Sequence, residues 1–100
     1  MNYSLQILSE AADDIREITF WYKGISPELG RRFVAELYNG FDRIVANPNA
    51  WFNIASRVKR YTLSHFPYLI IFQVQNDLIV LYAVIHSRRN PNRWKKRIKL

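Results

Sequence analysis

The strongest pattern in the sequence is a pair of apolar runs separated by a short polar turn. The runs cover residues 68–75 and 78–85, are rich in β-branched and aromatic side chains, and are joined by the polar triplet at 75–77. This pattern predicts an antiparallel hairpin of two buried strands. Residues 57–63 alternate between polar and apolar side chains, which predicts another strand just before the hairpin. We expect these three consecutive strands to form a meander.

The N-terminal part of the chain predicts a short strand followed by a helix. Residues 2–8 alternate between apolar and polar side chains, as a half-buried strand does. Apolar side chains then recur at helical spacing between Ala12 and Tyr22. Ser9 is suited to cap this helix, which we expect to end near Gly24. Acidic residues at its start match the positive end of the helix dipole, which explains them without a metal site. These acids are Glu10, Asp13 and Asp14.

A second helix is predicted to follow directly. Ser26 and Pro27 provide an N-cap and a first helical residue, and apolar side chains recur at helical spacing over residues 29–45. Asn47-Pro48 is expected to end the helix, and residues 47–56 are predicted to be irregular. The two helices form an antiparallel hairpin whose apolar faces require a sheet to cover them. The predicted fold is therefore α+β, with the order β-α-α-β-β-β and the helical hairpin packed on an antiparallel meander sheet.

The composition fits one small domain. With 100 residues, 49% of them hydrophobic, the chain can build one core, and we treat residues 1–100 as a single domain. The sequence has no cysteine, which excludes disulfides and a Cys nucleophile and is compatible with a reducing cytoplasm. The longest apolar run has eight residues, against the roughly 18 that a membrane span needs, and the N-terminus lacks a basic export signal. We therefore expect a cytoplasmic protein.

The formal net charge of +7 is concentrated near the C-terminus. Residues 1–56 carry seven acids and five bases, whereas residues 78–100 carry seven bases and no acid. A basic tail, residues 87–100, follows the most hydrophobic strand, and Trp94 is its expected anchor to the core. Clustered cations attract polyanions and acidic partners. The basic side of the strand at 57–63 carries Arg57 and Lys59, and we expect this side and the tail to share one face of the sheet.

Several short motifs are spread over nearly the whole chain. They are Ala11-Ala12-Asp13-Asp14-Ile15, Ser26-Pro27, Asn47-Pro48, Arg60, Phe66-Pro67-Tyr68, and Val84-Ile85-His86-Ser87-Arg88-Arg89-Asn90-Pro91 with Trp94. In this order they resemble the RelE/ParE superfamily of bacterial toxins, the toxic halves of type II toxin–antitoxin modules. The resemblance implies neutralisation by a cognate antitoxin, a segment of which wraps the sheet and the helical hairpin, and a higher-order complex of the two. An acidic antitoxin that folds on binding matches the basic chain.

The resemblance leaves the target open. ParE-like members inhibit DNA gyrase by binding, whereas RelE-like members cut messenger RNA in the ribosomal A site without metal, by attack of a 2′-OH on the adjacent phosphate. The helix start at 11–15, Ser26-Pro27 and Phe66-Pro67-Tyr68 look closer to ParE. The strands at 57–63 and 68–75 carry no dense lysine cluster, which argues against a ribonuclease. We favour gyrase; the alternatives are the ribonuclease and a non-toxic relative that binds nucleic acid or protein.

Candidate residues follow from these chemistries. Phosphate cleavage requires cations around the developing charge and a group that moves a proton near neutral pH. The candidates for these catalytic roles are Arg57, Arg60, His86 and Arg88. His86 is equally well explained as a structural histidine that orders the loop at Arg88. The candidates for contacting RNA or another target are Lys59, Tyr61, Arg89, Arg93, Lys95, Lys96 and Arg97. No cofactor or metal is expected.

Overall fold

A computed structural model describes residues 2–55, 57–88 and 92–98. Its elements are β1 (Ser4–Ile7), α1 (Ser9–Ile25), α2 (Pro27–Ala46), a 3₁₀ turn (Pro48–Ala50), β2 (Phe52–Ala55), β3 (Val58–Thr62), β4 (Tyr68–Gln75), β5 (Leu78–His86) and α3 (Asn92–Lys95). The strands form one sheet in the order β1-β5-β4-β3-β2. β1 runs parallel to β5, and the other neighbouring strands are antiparallel. The predicted α+β fold, with a helical hairpin and a meander, is confirmed.

The two long helices follow the capping rules with one exception. The Ser26 hydroxyl accepts a hydrogen bond from the Leu29 N–H at 3.0 Å, and Pro27 is the first residue of α2, as predicted. Ser9 was predicted to cap α1 but is its first helical residue, and the preceding Leu8 makes no side-chain cap. The link between the helices is Ser26 alone, so the hairpin turns sharply. No helix in the described part of the chain is long and apolar enough to cross a membrane.

The prediction that residues 47–56 are irregular was wrong for 52–55, which form β2. Phe52 lies opposite Arg60 and Asn53 opposite Lys59, so β2 pairs with the outer edge of β3. This pairing satisfies backbone N–H and C=O groups of β3 that β4 does not reach. The sheet therefore has five strands instead of the four expected from the sequence.

One side of the sheet, the helix face, is covered by α1 and α2. Three fully buried side chains of α2, Phe33, Leu37 and Ile44, belong to a core that includes Ile70 and Phe72 of β4. The rings of Tyr22, Phe33, Phe66 and Tyr68 pack against one another, with centroid distances of 5.0–6.3 Å. Such aromatic pairs add stabilisation beyond the area that they bury. The helix face thus holds the larger core of the molecule.

The other side, the second face, has a smaller core. It consists of Val58, Ile71, Ala83 and Ile85 on the strands, covered by Trp94 and Ile98 from the C-terminal segment. Trp94 is only 4% exposed, which confirms its predicted role as an anchor. The segment at 92–98 therefore packs against the sheet through Trp94 and Ile98.

Candidate functional site

Two adjacent cations of β3 lie on opposite faces of the sheet. Arg60 is opposite Ile71 on the second face, and its guanidinium carbon is 5.8 Å from the centroid of the Phe52 ring. Lys59 is opposite Phe72, on the helix face. Its ammonium group donates hydrogen bonds to the backbone carbonyl of Trp51 at 3.3 Å and to Asn53 Oδ1 at 3.0 Å. Lys59 is thus engaged within the protein, whereas Arg60 is exposed.

Arg60 forms part of a groove on the second face, with a volume of about 270 Å³. We call this the second-face groove, and its lining residues are Ile54, Arg60, Leu69, Ile71, Ile85, Ser87, Trp94 and Lys95. The Lys95 ammonium lies 5.8 Å from the centroid of the Trp94 ring. The expectation that the basic side of the strand at 57–63 shares a face with the C-terminal cations was wrong, because Arg60, from the other side of the strand, lies at the groove with Lys95. Lys59, the cation that we had assigned to that basic side, faces the helices.

His86 lies on the helix face, beside α1. Its ring is 5.3 Å from that of Tyr68, and its Nδ1 accepts a hydrogen bond from the Arg88 N–H at 3.1 Å. A small cavity of about 140 Å³ brings His86 together with Asp14 and Glu17 of α1. The hydrogen bond to the backbone of Arg88 matches the structural interpretation of His86, since it orders the turn that follows β5. The side chain of Arg88 is exposed.

A β-bulge decides which face His86 occupies. Ile71 is opposite Ala83 but Phe72 is opposite Leu81, so Tyr82 is an extra residue in β5. Strict alternation from Ile79 would put His86 on the second face. The extra residue reverses the facing of every side chain that follows it in β5. His86 therefore turns towards the helices and away from Arg60.

The candidate catalytic residues are not brought into one site. Arg57 immediately precedes Val58, which is opposite Gln73, whereas His86 is opposite Tyr68. Tyr68 and Gln73 are five residues apart on β4, which corresponds to roughly 16 Å at the rise of a strand. Arg57 and His86 thus lie at opposite ends of the sheet. Arg60 is on the other face from His86, so these three residues cannot act on one phosphate in this arrangement.

Besides Lys59, two more of the predicted target-binding residues have internal roles. Tyr61 is only 7% exposed and packs against Trp51, with ring centroids 4.7 Å apart. Arg97 donates to both carboxylate oxygens of Asp14, at 2.6 and 3.0 Å, and to the carbonyl of Tyr82 at 3.1 Å. Lys96 is exposed. Arg89 and the side chain of Arg93 lie outside the described residues.

The contact between Asp14 and Arg97, which we call the clasp, was not predicted from the sequence. Both side chains are nearly buried, and hydrogen bonding to Asp14 raises the pKa of Arg97 above its ordinary value. Asp14 also accepts the N–H of Val84 at 3.0 Å, a group beyond the part of β5 that pairs with β1. The clasp therefore ties the C-terminal segment to α1 and to β5. The residues are 83 positions apart, and a single acid and a single base give no pattern that predicts their contact.

A second surface feature lies on α1, away from both cores. Three large apolar side chains in its last two turns are exposed: Phe20 by 79%, Trp21 by 61% and Ile25 by 59%. We call these residues the α1 patch. Exposed apolar groups that are contiguous on a small protein commonly mark an interaction surface.

Comparison with known proteins identifies the family. A family model described as the ParE toxin of the type II toxin–antitoxin system parDE matches residues 5–91. A search of curated proteins gave no significant match. Among solved structures, the chromosomal ParDE toxin–antitoxin system from P. aeruginosa contains a chain of the same fold. It has a TM-score of 0.74 and 22% sequence identity, over 84% of this chain and 95% of that chain. Since the family model covers most of the sequence, the chain belongs to the ParE toxin family of type II toxin–antitoxin systems.

Proposed function

We propose that this protein arrests bacterial growth by binding DNA gyrase and does not cleave messenger RNA. The observation that carries the choice is the separation of the candidate catalytic residues. Cleavage through a 2′-OH needs a base, an acid and cations within hydrogen-bond reach of one phosphate. Arg57, Arg60 and His86 occupy two ends and two faces of the sheet. Inhibition by binding requires no such constellation, and the family assignment supports gyrase as the target.

We further propose that a cognate antitoxin neutralises the toxin by covering the α1 patch. Phe20, Trp21 and Ile25 offer apolar surface on the outside of the helical hairpin. An antitoxin helix could bury these side chains with its own apolar face. The chain carries a net charge of +7, so an acidic antitoxin would be drawn to it electrostatically.

The test compares two assays of the purified protein. In the first, DNA gyrase supercoils a relaxed plasmid in the presence of increasing toxin. In the second, a bacterial translation extract receives the toxin, and the 5′ ends of a reporter messenger are mapped. We expect supercoiling to be inhibited and the messenger to stay intact.

Ribosome-dependent cuts in register with codons would contradict the proposal, and their loss in Arg88→Ala would support the ribonuclease instead. Inactivity in both assays, together with harmless overproduction in cells that lack the antitoxin, would indicate a non-toxic relative. Addition of purified antitoxin provides the control, because it should restore supercoiling if the inhibition comes from the toxin.

A further inference from the structure

We infer that the second-face groove binds an acidic protein segment, in which an apolar side chain is flanked by carboxylates. The apolar side chain enters the groove, and the carboxylates meet Arg60 and Lys95. The inference rests on the proposed function in so far as this segment belongs to the toxin's target.

The charges at the rim of the groove define the partner. Arg60 and Lys95 are both exposed, and neither pairs with a carboxylate among the residues that the structure describes. Each cation lies beside an aromatic ring, Phe52 for Arg60 and Trp94 for Lys95. Cation–π contacts limit the conformations of long side chains, so less entropy is lost when a carboxylate binds. The rim therefore offers two positioned cations without acidic partners.

The floor of the groove is apolar. It is formed by Ile54, Leu69, Ile71 and Ile85, which come from β2, β4 and β5. A volume of about 270 Å³ accommodates an apolar side chain. Apolar anchors that fill pockets supply much of the affinity at protein interfaces, whereas the polar rim contributes specificity. An apolar floor between two cations thus matches a protein segment that has an apolar anchor and acidic neighbours.

A single-stranded nucleic acid fits the same surface less well. Such ligands need a track of cations and exposed aromatic rings on which bases stack. Trp94 is buried and offers no stacking surface, and Phe52, which is 74% exposed beside Arg60, is a single ring. Lys59 faces the helices, and Arg97 is held by Asp14. The described part of the chain therefore supplies two cations and one exposed ring at this groove, which is less than the continuous track of cations and rings that a single strand follows.

The groove is built before a partner arrives. Its outer wall is Trp94 and Lys95 of α3, and the clasp between Arg97 and Asp14 fixes the position of this segment against the sheet. A preformed site binds without the cost of ordering its walls. The clasp thus holds in place the wall of the groove that the ligand contacts.

The test uses charge reversal at the rim. Arg60→Glu and Lys95→Glu are compared with Arg31→Glu, which reverses an exposed cation on α2. Growth arrest is measured after induction in cells without antitoxin, and affinity for purified DNA gyrase is measured by titration. Each rim variant should weaken gyrase binding by about tenfold or more and relieve growth arrest, whereas Arg31→Glu should behave like the wild type. Thermal unfolding should be unchanged in all three variants, which excludes misfolding as the cause.

The outcomes separate this inference from the proposed function. Rim variants that bind gyrase and arrest growth like the wild type would overturn the inference and leave gyrase as the target. A wild-type protein that arrests growth without binding gyrase would overturn the gyrase proposal. In that case, rim variants that no longer arrest growth, beside an Arg31→Glu variant that still does, would support the groove as the binding site. A wild-type protein that neither binds gyrase nor arrests growth would overturn both the gyrase proposal and the inference about the groove. Binding of a short single-stranded RNA that the rim variants lose in parallel with growth arrest would overturn the acidic segment as the ligand.

Discussion

The two faces of the sheet differ in how they are covered. On the helix face, two helices of 17 and 20 residues close over a core that contains Phe33, Phe66 and Phe72. On the second face, the short α3 and the residues after it cover a smaller core and leave the groove open beside them. The helix face therefore holds the larger share of the buried core, and the second face keeps an open groove.

Neighbouring residues of one strand show the same division. Lys59, on the helix face, donates its hydrogen bonds to Trp51 and Asn53 and so supports the loop and β2. Arg60, one position later, is exposed at the rim of the groove. Lys59 and Arg60 carry the same charge and are neighbours in the chain, but they make different contacts, because side chains alternate between the two faces of a strand. In this strand, the face of the sheet on which a cation lies determines which groups it contacts.

The largest expected effect is the loss of an aromatic ring from the helix face. Phe33→Ala removes a fully buried ring that contacts Tyr22, Phe66 and Tyr68. It should lower the free energy of unfolding by about 3–5 kcal/mol, since it leaves a cavity in the main core. Urea denaturation gives this value. Phe20→Ala, at a residue that is 79% exposed, is the control and should change it by less than about 0.5 kcal/mol. Similar losses in the two variants would contradict the assignment of the main core.

A smaller effect is expected at the clasp, which joins the two faces. Asp14→Asn removes the more buried of the two carboxylates that pair with Arg97, the other being Glu10, and should cost about 2–3 kcal/mol. The adjacent Asp13 is exposed and pairs with Arg16, so Asp13→Asn should cost less than about 0.5 kcal/mol. Thermal unfolding at constant pH compares the two, and their difference should shift Tm by roughly 10–20 °C. Equal melting temperatures would show that the clasp does not hold the C-terminal segment.

The smallest of the stability effects concerns how closely α2 approaches the sheet. A Cβ at Gly40 would lie 3.0 Å from Cε1 of Tyr61 and 3.3 Å from Cδ1 of Ile70, so Gly40→Ala should cost about 1–2 kcal/mol through overpacking. At Gly24, within α1, a Cβ would meet nothing within 4 Å. Gly24→Ala should therefore stabilise the protein by about 0.5 kcal/mol through helix propensity. Stabilisation by both substitutions would indicate looser packing than the structure shows.

The parts of the fold that the sequence predicts are those with local causes. Ser26 and Pro27 start α2 through contacts within one helical turn, and the runs at 68–75 and 78–85 form a hairpin across a short turn. β2 was not predicted because its four residues become a strand only through pairing with β3. The tertiary partner, and not strand propensity, decides this element.

The surface was less predictable than the fold. The sequence predicted Arg60 as a candidate catalytic cation and Lys95 as a candidate target contact, and the structure places both at one groove. It did not reveal that Arg97 is held by Asp14 or that Tyr61 is buried, because both contacts join elements far apart in the chain. The bulge at Tyr82 also reverses the facing of His86, and one extra residue in a strand leaves no clear mark in an apolar run.

The measurement that tests the central claim most directly is inhibition of gyrase supercoiling by two variants side by side. His86→Ala removes the candidate proton-transfer group on the helix face, and Arg60→Glu reverses a cation on the second face. If the toxin acts by binding through the second face, His86→Ala should inhibit as the wild type does and Arg60→Glu should lose inhibition by about tenfold or more. Full inhibition by Arg60→Glu together with an inactive but folded His86→Ala would contradict the account.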